Sequence, residues 1–199
     1  MKRCLFLAAT ILVSGILSYA NDEVPSTKGK LLKTLRILTL NVYGKKERNC
    51  QDRFRTIAKR IIEATPRYDI VSFNEHYNPW IELWLSCDGN ILTKAMYAGG
   101  HYKDGDGKIR NHKYYPKGGL FQANGANSLF TLHNIIEFDW WKFKNTRRAI
   151  AMGYMINRVQ ISSELTIDVW TTNLESKGPD NCSKTCREKQ FKQILKTQE

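Results

Sequence analysis

The chain has 199 residues, 42% of them hydrophobic, so it can bury a core of its own and one domain is the natural count. Its formal charge of +12 favours association with polyanions such as nucleic acid or anionic lipid surfaces, although a basic surface can also serve only solubility. No apolar run reaches the length of about 20 residues that a bilayer-spanning helix requires, which counts against an N-terminal membrane anchor, the alternative reading of the first apolar run.

Residues 1–20 read as a secretory signal. Lys2 and Arg3 precede an apolar run from Cys4 to Leu17, and Ser18-Tyr19-Ala20 places small residues where a signal peptidase cuts. Residues 21–33, with Pro25, Ser26 and Gly29, form a polar leader, and residues 34–199 form the domain. Export leaves Cys50, Cys87, Cys182 and Cys186, an even set in an oxidising compartment, so two disulfides are expected rather than a metal site. Three pairings are open. Close spacing favours Cys182 with Cys186 and leaves Cys50 for Cys87. Asn181-Cys182-Ser183 is a formal glycosylation sequon.

Arg36 to Val42 is apolar at nearly every position, the pattern of a strand covered on both faces, and it ends at Asn41. In the next segment Phe54, Ile57, Ala58, Ile61 and Ile62 fall on one helical face, with Asn49 as cap and Thr65-Pro66 as stop. Arg53, Arg55, Lys59 and Arg60 fall on the other side and read as a solvated face. Tyr68 to Phe73 is a second buried strand, finishing in Asn74-Glu75-His76. Strand, helix and strand with short links make a βαβ-like unit whose polar strand ends gather at one sheet edge. A carboxylate there must be solvated, paired or bound to a cation. Glu75 is therefore the leading metal-ligand candidate, with a surface salt bridge as the plain alternative. Magnesium suits the site because it takes oxygen ligands, keeps waters and needs only one or two carboxylates.

Asn78-Pro79 with WIELWL reads as a capped short helix, and residues 99–119 as a long basic, aromatic loop suited to a phosphate ligand or simply exposed. Ser128 to Glu137 reads as one strand. In FDWWKF the residues Phe138, Trp140, Trp141 and Phe143 suit core packing or a lipid-facing patch. Ala149 to Ile161 and Leu165 to Thr172 form a hairpin, and Cys182 to Lys196 a helix with Phe191, Ile194 and Leu195 as its apolar side.

LRILTLNVYG, DRFRTIAKRI and YDIVSFNE, in that order, resemble the opening of the endonuclease/exonuclease/phosphatase superfamily, and within it the secreted and neutral sphingomyelinases. The resemblance implies an α/β class of fold, a DNase-I-like sandwich of two packed sheets flanked by helices. It implies Mg2+-dependent phosphodiester hydrolysis, with a phospholipid or nucleic acid as substrate and contact with a membrane surface. Asn41 and Glu75 match the family's magnesium-site residues, and Asn74 stands where Gln is common. Other positions depart from the family. His133 and Asn134 replace Ser and Lys, Met152 replaces the Lys before Gly153, and Asn173 occupies the position of a catalytic His. The later Asp-x-Asn and Ser-Asp-His motifs have no counterpart between Pro179 and Glu199, so the chain reads as the N-terminal portion of a usual domain, truncated at its C-terminus. Low or absent turnover is expected, because an amide cannot transfer protons as imidazole does. A non-catalytic phosphate- or lipid-binding relative and a nuclease of the same superfamily are the alternatives.

Overall fold

A computed structural model describes residues 13–14, 34–43, 48–76, 87–100, 102, 112–114, 127–144, 153–174 and 183–197. Its first sheet contains β1 (Val13–Ser14), β6 (Asn134–Lys142), β7 (Gly153–Gln160) and β8 (Thr166–Thr172), in the order β1-β8-β7-β6. The second contains β2 (Ile37–Asn41), β3 (Ile70–Asn74), β4 (His112–Tyr114) and β5 (Asn127–Thr131), in the order β2-β3-β5-β4. All pairings are antiparallel except that of β2 with β3. That parallel pair needs a crossover, which α1 (Cys50–Ile62) supplies. Two further helices are α2 (Gly89–Ala98) and α3 (Ser183–Lys196). Among the described residues no helix is long and apolar enough to cross a membrane.

Period-two alternation sorts the β3 side chains between two cores. Ile70 joins Leu129, Met155, Val159, Ile161, Ile167 and Val169 between the sheets. Val71 and Phe73 point the other way, against Phe54, Ala58 and Ile61 of α1 and Leu92 and Met96 of α2. Every β3 residue is buried, whereas β2 at the sheet edge is only half-buried. The predicted apolar face of α1 is the one that packs, and Phe54 is fully buried. Truncating a phenylalanine in such a core costs about 3–5 kcal/mol. The Cys50–Cys87 disulfide joins the start of α1 to the chain just before α2. Cys186 is disulfide-bonded as well.

Several expectations need correction. Asn49 precedes α1 without a side-chain cap; its backbone carbonyl instead accepts from the Arg53 amide at 3.0 Å. The helix stops at Ile62, three residues short of Thr65. The single strand expected over 128–137 is two strands in different sheets, β5 and β6. Between them the His133 amide donates to Thr131 Oγ1 and the His133 ring meets Asp69, turning the chain where no glycine or proline marks a turn. Within the expected loop of 99–119, residues 112–114 are strand β4, paired to β5. The α2 helix was not anticipated; Asp88 caps it by accepting from the Asn90 amide at 2.9 Å.

On α3, Phe191 and Leu195 are half exposed and only Ile194 of the expected apolar side packs on the sheet. Polar contacts set the docking instead. Gln193 Nε2 donates to the Lys142 carbonyl at 3.0 Å, and Tyr154 Oη meets Thr197 Oγ1. In FDWWKF, Phe138 enters the inter-sheet core, Phe143 is buried, and Trp141 stacks on Tyr154, so packing prevails there; Trp140 stays 38% exposed. The β7–β8 hairpin lies as expected, closed by Ile161 and Ser162 amides donating to the Leu165 carbonyl. Val13 and Ser14, within the expected signal, pair with Val169 and Asp168, so cleavage would leave β8 as that sheet's edge. The expected helix after Pro79, together with Met152, Asn181 and Cys182, lies outside the described residues.

Candidate functional site

Register places three asparagines side by side at one end of the second sheet: Asn41 opposite Asn74, and Asn74 opposite Asn127. Asn74 and Asn127 are buried and tie this end to the other sheet. Asn74 Nδ2 donates to Asn127 Oδ1 and to the Thr172 carbonyl, both at 2.9 Å. Asn127 Nδ2 and Thr172 Oγ1 both donate to the Gly153 carbonyl, at 3.1 and 3.2 Å. One layer below, Ser72 Oγ donates to Thr171 Oγ1 at 3.3 Å. The rim is thus held by amide and hydroxyl bonds between the two sheets, and Asn173 follows directly from it. Among the described residues the Asn173 side chain makes no hydrogen bond.

Glu75 follows β3 with φ 55°, in the left-handed region. A non-glycine residue there costs about 1–2 kcal/mol, and such residues collect at functional sites. Asn41 Nδ2 donates to Glu75 Oε1 at 3.0 Å, so the two predicted residues do meet. Glu75 Oε2 is buried with no partner among the described residues, and the same holds for Asn74 Oδ1. A buried anionic oxygen without a donor is costly unless a cation meets it. The salt bridge considered for Glu75 is not formed within the described set. The amide of Asn41 is turned so that its Oδ1 accepts from the Tyr43 backbone N–H at 2.8 Å. In this orientation Asn41 steers the carboxylate.

His76 anchors the chain beyond Glu75. Its Nε2 must carry the proton, because the group facing it at 2.8 Å is the Gly89 carbonyl; Nδ1 then accepts from Ser128 Oγ at 2.6 Å. The Phe54, Phe73 and Phe130 rings surround it. Burial pushes its pKa down to about 4, partly offset by the bond to Gly89, so the ring is neutral near pH 7.

No group of three or more His, Cys, Asp or Glu side chains able to hold a metal occurs among the described residues. A cation here would rely on one carboxylate, amide oxygens and water, a donor set that suits magnesium better than zinc. The unpartnered oxygens of Glu75 and Asn74 fit that requirement. Sequence reasoning missed Asn127, which only the register of β5 on β3 brings beside Asn74. It also placed Arg53 on a solvated face. The Arg53 guanidinium instead donates to the Tyr43 carbonyl at 2.5 Å and lies over the Tyr43 ring.

No family model matches the sequence, and no curated protein matches it. Solved structures do. Beta toxin from Staphylococcus aureus with bound magnesium ions matches with TM-score 0.63 at 14% identity, covering 84% of this chain and 60% of the toxin. Sphingomyelinase C from Streptomyces griseocarneus matches with TM-score 0.58 at 14% identity, over 82% of this chain and 59% of the enzyme. An endonuclease/exonuclease/phosphatase family protein from Leptotrichia buccalis matches with TM-score 0.55 at 14% identity, over 83% and 64%. The chain spans less than two thirds of the length of each. Such likeness at low identity speaks to architecture, and on it the chain is an α/β sandwich of the DNase-I-like fold.

Proposed function

We propose that this chain is a secreted protein that binds magnesium through Glu75, steered by Asn41, and through the ion takes the phosphate of a phosphodiester, in the manner of a sphingomyelinase. The observation that carries the reading is the buried Glu75 Oε2, without a partner among the described residues and held beside Asn41 at the end of β3. Bound there, the ion would supply positive charge to phosphate oxygens. Architecture shared with a sphingomyelinase and with a magnesium-bound toxin supports a phospholipid as the ligand class. The Cys50–Cys87 disulfide supports an oxidising destination.

Hydrolysis by this chain is slow or nil in this reading, because Asn173 offers an amide where the family has an imidazole. The test is release of phosphocholine from sphingomyelin vesicles with magnesium present, alongside vesicle co-sedimentation. Magnesium-dependent sedimentation lost in Glu75→Gln, with at most trace release, is expected. Rapid release abolished by Glu75→Ala would overturn the low-turnover part and restore a full enzyme. A nuclease is favoured instead by the +12 charge, and DNA nicking in the same buffer without vesicle binding would establish it.

A further inference from the structure

Arg53 sits in the first turn of α1 beside the fully buried Phe54 and is itself half-buried. Nη2 donates to the Tyr43 carbonyl at 2.5 Å, while Cζ lies 5.6 Å from the Tyr43 ring centroid and 5.8 Å from that of Phe54. Arg55 behaves differently: it pairs with Asp52 three residues away, and the two side chains are 59% and 77% exposed. The two arginines, two positions apart in one helix, therefore do different work.

Tyr43 has φ 50°, a left-handed conformation that a tyrosine abandons unless something holds it. Its backbone N–H then points at Asn41 Oδ1, and that bond fixes which way the Asn41 amide faces. With Oδ1 engaged, Nδ2 is presented to Glu75 Oε1. The bonds run in one direction, from guanidinium to Tyr43 carbonyl, from Tyr43 amide to Asn41, and from Asn41 to the carboxylate. We propose that Arg53 is a positioning residue for the Glu75 carboxylate, acting through the strained Tyr43 backbone and the Asn41 amide. The proposal rests on the magnesium reading of Glu75 for its functional meaning, but the clamp itself does not. Lysine would not replace arginine here, since a compact ammonium that bonds the carbonyl has no second face to set against the ring.

The test uses the full chain and the variants Arg53→Ala, Arg53→Lys and Arg55→Ala. Amide hydrogen exchange at Tyr43, followed without any divalent ion, should accelerate in both Arg53 variants and stay unchanged in Arg55→Ala. Magnesium chloride titrations, read as the rise in melting temperature, should then show affinity about tenfold to a hundredfold weaker in both Arg53 variants. Arg55→Ala should match the unsubstituted chain. A purely structural role would lower every melting temperature and leave the magnesium-dependent increment intact. Unchanged Tyr43 exchange in the Arg53 variants would overturn the clamp, and lost protection with unchanged magnesium affinity would overturn its bearing on the site. If the unsubstituted chain shows no magnesium increment, the magnesium reading has failed, and metal-free exchange at Tyr43 still decides whether the clamp exists.

Discussion

Strand β3 is flanked by two carboxylates, Asp69 before it and Glu75 after it, and the two ends of the strand treat them in opposite ways. Asp69 is fully engaged. Its Oδ2 accepts from the Arg36 amide at 2.9 Å, its Oδ1 meets His133 Nε2 at 3.0 Å, and its backbone bonds both Arg36 and Leu132. Glu75 has one oxygen held by Asn41 and the other buried without a partner among the described residues. Each end also has a histidine. His133 pairs with Asp69, whereas His76 turns away from Glu75 to Ser128 and Gly89. One end is closed on itself; the other keeps an acceptor open, and it is there that the proposed cation would bind.

Acid should strike the open end hardest. His76 is neutral when folded, with its pKa lowered from 6.5 to about 4 by burial, so the unfolded chain takes up a proton that the folded chain refuses. Its contribution is complete above pH 6.5 and is lost progressively as pH falls towards 4. The loss is on the order of 3 kcal/mol, read as urea midpoints at about pH 7 and about pH 4.5 with chelator present, and His76→Gln should flatten it. Asp69→Ala comes next, at roughly 2–3 kcal/mol, because it leaves the Arg36 amide and the His133 ring short of acceptors. Its magnesium affinity should equal that of the unsubstituted chain. Asn74→Ala should cost about 1–2 kcal/mol through the donors lost to Asn127 and Thr172. The smallest change belongs to Glu75→Gln, within about 1 kcal/mol without metal, since Oε2 has no partner among the described residues and the Asn41 amide can still donate to the other oxygen. A large destabilisation by Glu75→Gln would erase the distinction between the two ends.

The stretch from Leu35 to Glu75 was legible because its signals are local. Continuous apolar runs mark the parallel β2–β3 pair, and the spacing from Phe54 to Ile62 marks one face of a helix. Asn41 and Glu75 were legible as polar residues ending apolar strands. Other features depend on contacts distant in sequence. The break between β5 and β6 rests on His133 meeting Asp69, and the face of α3 is chosen by Gln193 and Thr197 against Lys142 and Tyr154. No periodicity encodes such bonds, so Phe191 and Leu195 misled. Strand β4 is three residues of mixed polarity, recognisable only from its partner β5. Arg53 and Asn127 were missed because their roles depend on register and on a left-handed Tyr43, and neither is visible in a residue type.

The central claim, that the acceptor left open at Glu75 is there for a cation, meets its most direct test in the melting temperature as a function of magnesium chloride. A concentration-dependent rise is expected in the unsubstituted chain and in an Asp69→Asn variant that still folds, and none in Glu75→Gln. An equal rise in Glu75→Gln, or none in the unsubstituted chain, would contradict it.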